Sequence, residues 1–328
     1  MDLSHKNILI IQTAFIGDAI LASSVVEKMH LHFPQAKISI LVRKGNESLY
    51  NDHPFLHEVF IWNKLDGKYK SLFGLLKQIR KRKFDTVINL HRYASSGFLT
   101  AFSGATYTAG YDKNPFSFLF NQKAKHIIGD GRHEIQRYND LIETITDSTI
   151  EKPKLYPSYK QFAKIEEYTG ISFVTMAPSS VWFTKQLPKY KWIELCDNLS
   201  HNIDIYLLGA PSDKTLCEEI KTKSSHPNIK ILAGELSLLE SCELMKHAKM
   251  NYVNDSGPLH LASAGNSPTT AFFCSTVPAY GFFPLAYNSK VIEVKNLPCK
   301  PCGLHGYKSC PKNDFKCGNN IDIKKALI

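Results

Sequence analysis

The sequence lacks several features that would sort it quickly. No G-x-G-x-x-G fingerprint follows its first strand pattern and no Walker A motif occurs anywhere, so dinucleotide-cofactor and P-loop readings are weak. No uninterrupted apolar run is long enough to span a membrane. The least polar stretch, 269–287, is broken by Pro278, Gly281 and Pro284 and reads as a buried strand followed by an aromatic loop. Residues 1–17 hold one short apolar run and no small-residue cleavage site, so they do not read as a signal peptide. There is no internal repeat or low-complexity tract. Acidic residues fall short, 30 Asp+Glu against 40 Lys+Arg, for a formal net charge of +10. The shortfall is uneven: residues 1–165 carry 23 basic and 15 acidic side chains, residues 166–328 carry 17 and 15. A basic half beside a nearly neutral one predicts two domains with different partners. The basic one suits nucleic acid, a membrane surface or an acidic substrate. The composition of the 328 residues, 43% hydrophobic and 21% charged, excludes a disordered chain, collagen and a small disulfide scaffold.

What is present is an alternation of strand and helix patterns. NILIIQ (7–12) predicts a first buried strand, followed by a turn at 13–17 and a helix over 18–29. Further strands are predicted at 37–42, 57–61 and 86–90, with a helix over 68–83. The pattern fades across 147–161, rich in Lys, Pro and Tyr, and reads there as a linker. It restarts with strands at 173–176, 203–208, 229–232, 250–253 and 269–273, interleaved with helices at 191–199, 212–221, 237–247 and 258–264. Continuous apolar strands alternating with helices imply parallel sheets covered on both faces. The expected architecture is α/β: two doubly wound domains facing a central cleft, with ligands outside the carboxyl ends of the strands. The boundaries read as 1–155, 156–297 and a Cys-rich closing segment at 298–328.

Three segments carry candidate chemistry. In TAFIGD (13–18), Asp18 follows Gly17 at a strand-to-helix turn, where it suits either a helix cap or a carboxylate general base. In NDSGPLHLA (254–262), a strand runs into polar residues and then Pro258 at the start of an apolar helix. Gly257 permits close approach, and the helix N-terminus with Ser256 and His260 suits a diphosphate. Asp255 in this loop is left without an assigned partner. In APSSVWFTK (177–185), Ser179 and Ser180 follow a strand, and Lys185 suits neutralising a leaving diphosphate.

These segments, with VINLHRYASSGFLTAFSGATYTAGYD, HEIQRYNDLI, PKYKW and TAFFCSTVPAYGFFP, resemble glycosyltransferase family 9, the ADP-heptose:lipopolysaccharide heptosyltransferases, across nearly the full length. The resemblance implies the GT-B fold and an inverting transfer of heptose from ADP-heptose to a lipopolysaccharide core or lipid A acceptor. No cofactor is implied for the transfer. By position it implies Asp18 as the base; Ser179, Ser180 and Lys185 on the donor phosphates; Asp255, Ser256, Gly257 and His260 on the nucleotide sugar; and Thr276 near the transferred sugar. Departures from the family's common pattern fall at Ser179–Ser180, Gln186, Leu187, Pro211, Cys274 and Val277.

Cys299, Cys302, Cys310 and Cys317 crowd into 19 residues as C-x2-C-x7-C-x6-C. Four thiolates suit tetrahedral Zn or Fe in a structural role, and free reduced thiols are an equal reading. The run 64–83 sets Lys64, Lys68, Lys70, Lys77, Arg80, Lys81, Arg82 and Lys83 against Asp66 alone, with Tyr69 and Phe73 interleaved. It reads as a solvated helix face or an anionic-membrane contact. His91, Arg92, His133 and Arg137 are expected to line the acceptor site. The expected setting is therefore the inner face of the cytoplasmic membrane, with the enzyme cytoplasmic and peripherally attached. A basic nucleic-acid-binding protein with a four-cysteine metal module is the rival from another class, disfavoured because no basic recognition helix follows the cysteines. A catalytically silent carbohydrate binder is a third reading.

Overall fold

In the computed structural model, residues 5–64 and 67–328 are described, and they divide into two compact units, 1–128 with 132–156 and 129–131 with 157–328. Unit 1 runs β1 (Asn7–Gln12), α1 (Ile16–His32), β2 (Lys37–Arg43), β3 (Leu56–Trp62), α2 (Lys68–Arg82), β4 (Thr86–Asn89), α3 (Ala94–Ala101), β5 (Tyr107–Tyr111), β6 (Gln122–Ala124) and α4 (Glu134–Asn139). Its sheet is parallel throughout, in the order β3-β2-β1-β4-β5-β6. The chain starts in the middle, winds to one edge, returns and winds to the other. The carboxyl ends of β1 and β4 therefore border the point where the winding reverses, which is where such sheets bind ligands.

Unit 2 repeats the plan with α5 (Tyr159–Ile165), β7 (Phe173–Ala177), α6 (Lys189–Asp197), β8 (Asp204–Leu207), α7 (Lys214–Lys223), β9 (Ile229–Ile231), α8 (Leu238–His247), β10 (Asn251–Asn254), α9 (Gly257–Ala264), β11 (Thr269–Phe273), β12 (Ser289–Glu293) and α10 (Lys316–Asn319). The strand order, β12-β11-β10-β7-β8-β9, sets the reversal between β7 and β10.

The apolar strands are buried on both faces, as a sheet covered by helices requires. Leu9, Ile11, Leu41, Val87 and Leu99 meet in unit 1, and Val174, Trp192, Ile205, Tyr252 and Phe272 in unit 2. α1 is almost wholly buried. Even its Lys28 is covered, its ammonium donating to Asn139 Oδ1 (2.7 Å), Asp147 Oδ1 (2.8 Å) and the Asp147 carbonyl (2.6 Å). The segment expected as a linker is thereby anchored on its N-terminal side. α5 begins inside that segment, where Ser158 and Gln161 form a capping box.

The Cys-rich end is not a separate appendage. Cys317, Ile321, Ile323 and Ala326 join the core of unit 2. The uncharged stretch 269–287 is β11 and a loop, and among the described residues no helix is long and apolar enough to cross a membrane.

Candidate active site

At the reversal point of unit 2, β7 ends at Ala177 and β10 at Asn254. Asn254 is fully buried; its side-chain NH2 donates to the carbonyls of Pro178 (2.8 Å) and Ser179 (3.3 Å), and its Oδ1 accepts from the Leu187 amide (2.9 Å). One amide side chain thus ties both ends of the 178–187 loop to the central strand. Lys185 closes a short 3-10 turn in that loop. Its Nζ stands 2.9 Å from Asp255 Oδ2, and Thr276 Oγ1 donates to the same oxygen at 2.5 Å. The carboxylate whose partner the sequence left open therefore holds an ammonium and a hydroxyl.

α9 starts directly after, with Ser256 as N-cap, extended, its side chain making no capping hydrogen bond, and Pro258 in the first turn. The first-turn N–H groups and the positive end of the helix dipole carry no side-chain cap, which suits an anion. His260 is buried in the same turn, edge-on to the Phe282 ring.

Of the expected donor residues, Lys185, Asp255 and Thr276 are brought into contact, with Ser256, Gly257 and His260 beside them. Ser179 instead donates to Asp213 Oδ2 (2.8 Å), which also accepts from the Ala210 amide (2.8 Å). Ser180 contributes its carbonyl to Gln186 Nε2 (2.6 Å). Sequence reasoning missed Asn254 and Thr184. Asn254 left one available signal, a polar residue closing a central strand at the start of a polar loop.

In unit 1, Asp18 is half-buried in the first turn of α1, whose N-cap is Phe15 with no side-chain cap bond. Asp18 is therefore not the N-cap, although its charge suits the helix start. Buried Tyr111 and Tyr138 lie within reach of that charge. Burial first, then neighbouring carboxylates including Glu134 and Asp18, hold both phenols well above their usual range.

The carboxyl ends of β1 and β4 also gather cations. Lys64 Nζ donates to the Thr13 carbonyl (3.1 Å) and lies over the Trp62 ring; Thr13 Oγ1 is 3.5 Å from His91 Nδ1; Arg92 lies over Tyr93. Burial, followed by the charges of Lys64 and Arg92, lowers His91 to about 4.

His133 and Arg137, expected to line the acceptor site, are both enclosed within unit 1. His133 is buried and caps α4, its Nδ1 accepting from the Ile135 amide (3.3 Å). Arg137 is 1% exposed and donates to Glu134 Oε2 (2.9 Å), whose other oxygen stands 3.3 Å from His126 Nε2. Such a cap and such a pair satisfy polar groups that a short helix buries when its polar face turns inward.

The four clustered cysteines line one cavity of 230 Å³ together with Thr184, Tyr307 and Phe315. Among the described residues, no three His, Cys, Asp or Glu side chains converge to hold a metal ion, so of the two readings of the cysteines the metal one is not supported. The thiols are engaged locally instead. Cys302 Sγ donates to the Cys299 carbonyl (3.3 Å), backbone N–H groups of 312–315 face Cys310, and Cys317 packs in the core.

A model of glycosyltransferase family 9 (heptosyltransferase) matches residues 72–309. Lipopolysaccharide heptosyltransferase 3 of Escherichia coli is 24% identical over 277 residues, covering 80% of this chain and 82% of the relative. Lipooligosaccharide heptosyltransferase 2 of Campylobacter jejuni is 24% identical over 319 residues, 95% and 93%. Among solved structures, a family 9 glycosyl transferase from Veillonella parvula superposes with a TM-score of 0.80 at 19% identity, covering 89% of this chain and 86% of that one. E. coli ADP-heptose LPS heptosyltransferase II gives 0.76 at 20%, covering 94% and 96%. E. coli heptosyltransferase WaaC with ADP gives 0.67 at 19%, covering 87% and 90%. The two parallel six-stranded units are those of the GT-B fold.

Proposed function

The chain belongs to glycosyltransferase family 9, and from that premise we propose that it transfers heptose from ADP-heptose to a hydroxyl of an anionic lipopolysaccharide core acceptor, with inversion. Unit 2 takes the donor and unit 1 the acceptor. The observation that carries this reading is the Lys185–Asp255–Thr276 cluster beside the start of α9. A cation held in place by a buried carboxylate, next to helix N–H groups without a side-chain cap, is preorganised for the charge that grows on a departing diphosphate.

The acceptor oxygen attacks the anomeric carbon as Asp18 takes its proton. The bond from that carbon to the diphosphate oxygen breaks, and ADP leaves with the electron pair, facing Lys185 and the α9 N-terminus. These groups supply charge stabilisation that a metal provides elsewhere, so the transfer needs no metal. Lys64, His91 and Arg92 at the mouth of unit 1 suit a phosphorylated acceptor.

We propose further that the same unit attaches the enzyme peripherally to an anionic membrane, on its cytoplasmic face. Lys70, Phe73, Lys77 and Arg80 share the exposed face of α2 by their spacing. Phe73 is 58% exposed and its ring meets Phe98, which meets Phe102 and Phe116; Phe118 beyond them is 73% exposed. Aromatic surface among ammonium groups is what an interfacial helix presents to acidic headgroups. Asp66 and the side chain of Lys68, part of the basic run noted in the sequence, lie outside the described residues.

Incubation with ADP-heptose and an inner-core acceptor should release ADP, with or without a chelator, and Asp18→Asn should lower the rate at least about a hundredfold while still binding ADP. Donor binding without turnover would favour the silent carbohydrate binder. Undiminished turnover in Asp18→Asn would remove the base from the mechanism.

A further inference from the structure

The Cys-rich end makes contacts that a mere chain terminus does not need. Lys300 Nζ donates to the Phe273 carbonyl at the end of β11 (2.9 Å) and pairs with Glu293 (2.7 Å). The Cys302 amide donates to the Ser275 carbonyl (2.8 Å), next to Thr276. The Tyr307 amide then donates to Thr184 Oγ1 (2.7 Å), and the Thr184 amide donates back to the Tyr307 carbonyl (3.1 Å), next to Lys185. Thr184 is 1% exposed. Residues 300–307 thus bridge the two loops that deliver Lys185 and Thr276 to Asp255.

Between these anchors lies Gly306, at φ +78°. A Cβ there would stand 2.8 Å from Thr184 Oγ1, 3.0 Å from Ser275 Oγ and 3.1 Å from Lys185 Cγ. Two of these atoms belong to the loops being held, and the third is the stem of the lysine. A side chain at 306 would press on the Thr184 and Ser275 hydroxyls and on the stem of Lys185. Gly303, in the same segment, is also left-handed (φ +64°), but its nearest neighbour would be the Tyr307 hydroxyl at 3.4 Å. The two glycines share the backbone demand and differ in what they touch.

We infer that the Gly306–Tyr307 step is a working part of the donor site, with Thr184 and Gly306 as positioning residues that set where the Lys185 ammonium and the Thr276 hydroxyl meet the donor's diphosphate. The inference rests on the assignment of Lys185 to the diphosphate. Neither residue touches donor; each acts through the 183–185 turn and the 275–276 loop. The role is geometric and requires nothing bound to the cysteines.

The test uses the full-length protein and two probes, ADP and AMP, which differ in the phosphate Lys185 would hold. Loss of one charge-assisted hydrogen bond corresponds to about a tenfold or larger loss in affinity. Gly306→Ala and Thr184→Val should each weaken ADP by about that factor or more and AMP far less, and raise the donor KM without a matching change in acceptor KM. Thr184→Ser, which keeps the hydroxyl, should restore ADP binding. Gly303→Ala, which carries the same backbone strain, should leave ADP binding unchanged. Equal losses for ADP and AMP, or equal effects of Gly303→Ala and Gly306→Ala, would overturn the positioning role in favour of general packing. Lys185→Ala is the separate check: unchanged ADP affinity there overturns the diphosphate assignment itself. Loss in Lys185→Ala with none in Thr184→Val or Gly306→Ala overturns only this inference.

Discussion

The Lys185–Asp255 pair lends itself to an asymmetric experiment, because its partners differ in burial. Asp255's side chain is 7% exposed and Lys185's 16%. Replacing Lys185 by Met leaves a buried carboxylate with only the Thr276 hydroxyl. Breaking a buried pair costs about 3–5 kcal/mol; the surviving hydrogen bond places this case at the low end of that range. For a domain of this size that lowers Tm by roughly 6–12 °C. Asp255→Asn is milder, about 1 kcal/mol, because the lysine can extend its ammonium to water on its apolar stem. Binding of ADP should follow a different order. Lys185→Met removes a charge-assisted bond of about 1.5–3 kcal/mol, a roughly 10- to 150-fold loss. Asp255→Asn removes a carboxylate that repels the diphosphate. At roughly 5 Å and an effective dielectric of about 20, that repulsion is about 3 kcal/mol before screening. Relief of that repulsion opposes the loss of aim on Lys185, so the neutral variant should lose far less ADP affinity than Lys185→Met, while its kcat falls. Scanning calorimetry gives the stabilities, and isothermal titration with ADP gives the affinities. If the two variants lower ADP affinity equally, the carboxylate is a ligand of the nucleotide and the reasoning fails.

Other expectations follow from the geometry of unit 1. His53 and His91 are both lowered to about 4, chiefly by burial. Unfolded imidazoles titrate near about 6.5, so below that pH the unfolded chain binds the protons first; stability is unaffected above about 6.5 and is lost between about 6.5 and 4. Urea midpoints measured across that range should fall less steeply in a His53→Gln/His91→Gln double variant than in the parent, and equal slopes would count against the shifts. Arg137→Met strands Glu134 beside His126 and should cost about 3–5 kcal/mol, whereas Glu134→Gln with Arg137→Met together should cost less; a chemical-denaturation cycle with no coupling would contradict the pairing. Sedimentation with vesicles rich in phosphatidylglycerol should weaken about 30-fold in Lys70→Ser/Lys77→Ser, at ~1 kcal/mol per lysine, and more when Phe73→Ser is added. Binding indifferent to these changes would refute the α2 surface.

The elements legible in advance were those whose burial leaves a mark on composition. Inner strands such as NILIIQ and KISILV are mostly apolar between their ends because helices cover both faces, and the helices between them keep one apolar stripe. Residues 91–140 left no such mark. β5 (YTAGY) mixes Thr and Gly with its aromatics, β6 is three residues long, and α4 turns Glu134, Arg137 and Asn139 inward. An inward polar face reads from sequence as a solvent face, so the buried cap of His133 and the ion pair of Arg137 were not legible in advance.

The candidate site divides along a related line. Lys185, Asp255 and the start of α9 sit at strand ends, where the chain must turn and where polar residues after an apolar run have few structural uses. Their chemistry is therefore local and readable. What holds them is not local. Asn254 reaches back 76 residues to the Pro178 carbonyl, and Thr184 is bonded by a residue 123 positions away. No periodicity records such a contact, since a Thr before a Lys and a Gly after a His are ordinary pairs until the fold brings them together. The cysteines show the converse. Their spacing is conspicuous and suggested a metal, yet the same segment's contribution in the folded unit runs through backbone N–H groups and one missing side chain. A functional role carried by Gly306 depends on an atom the sequence omits, and only the packing around it gives that omission a meaning.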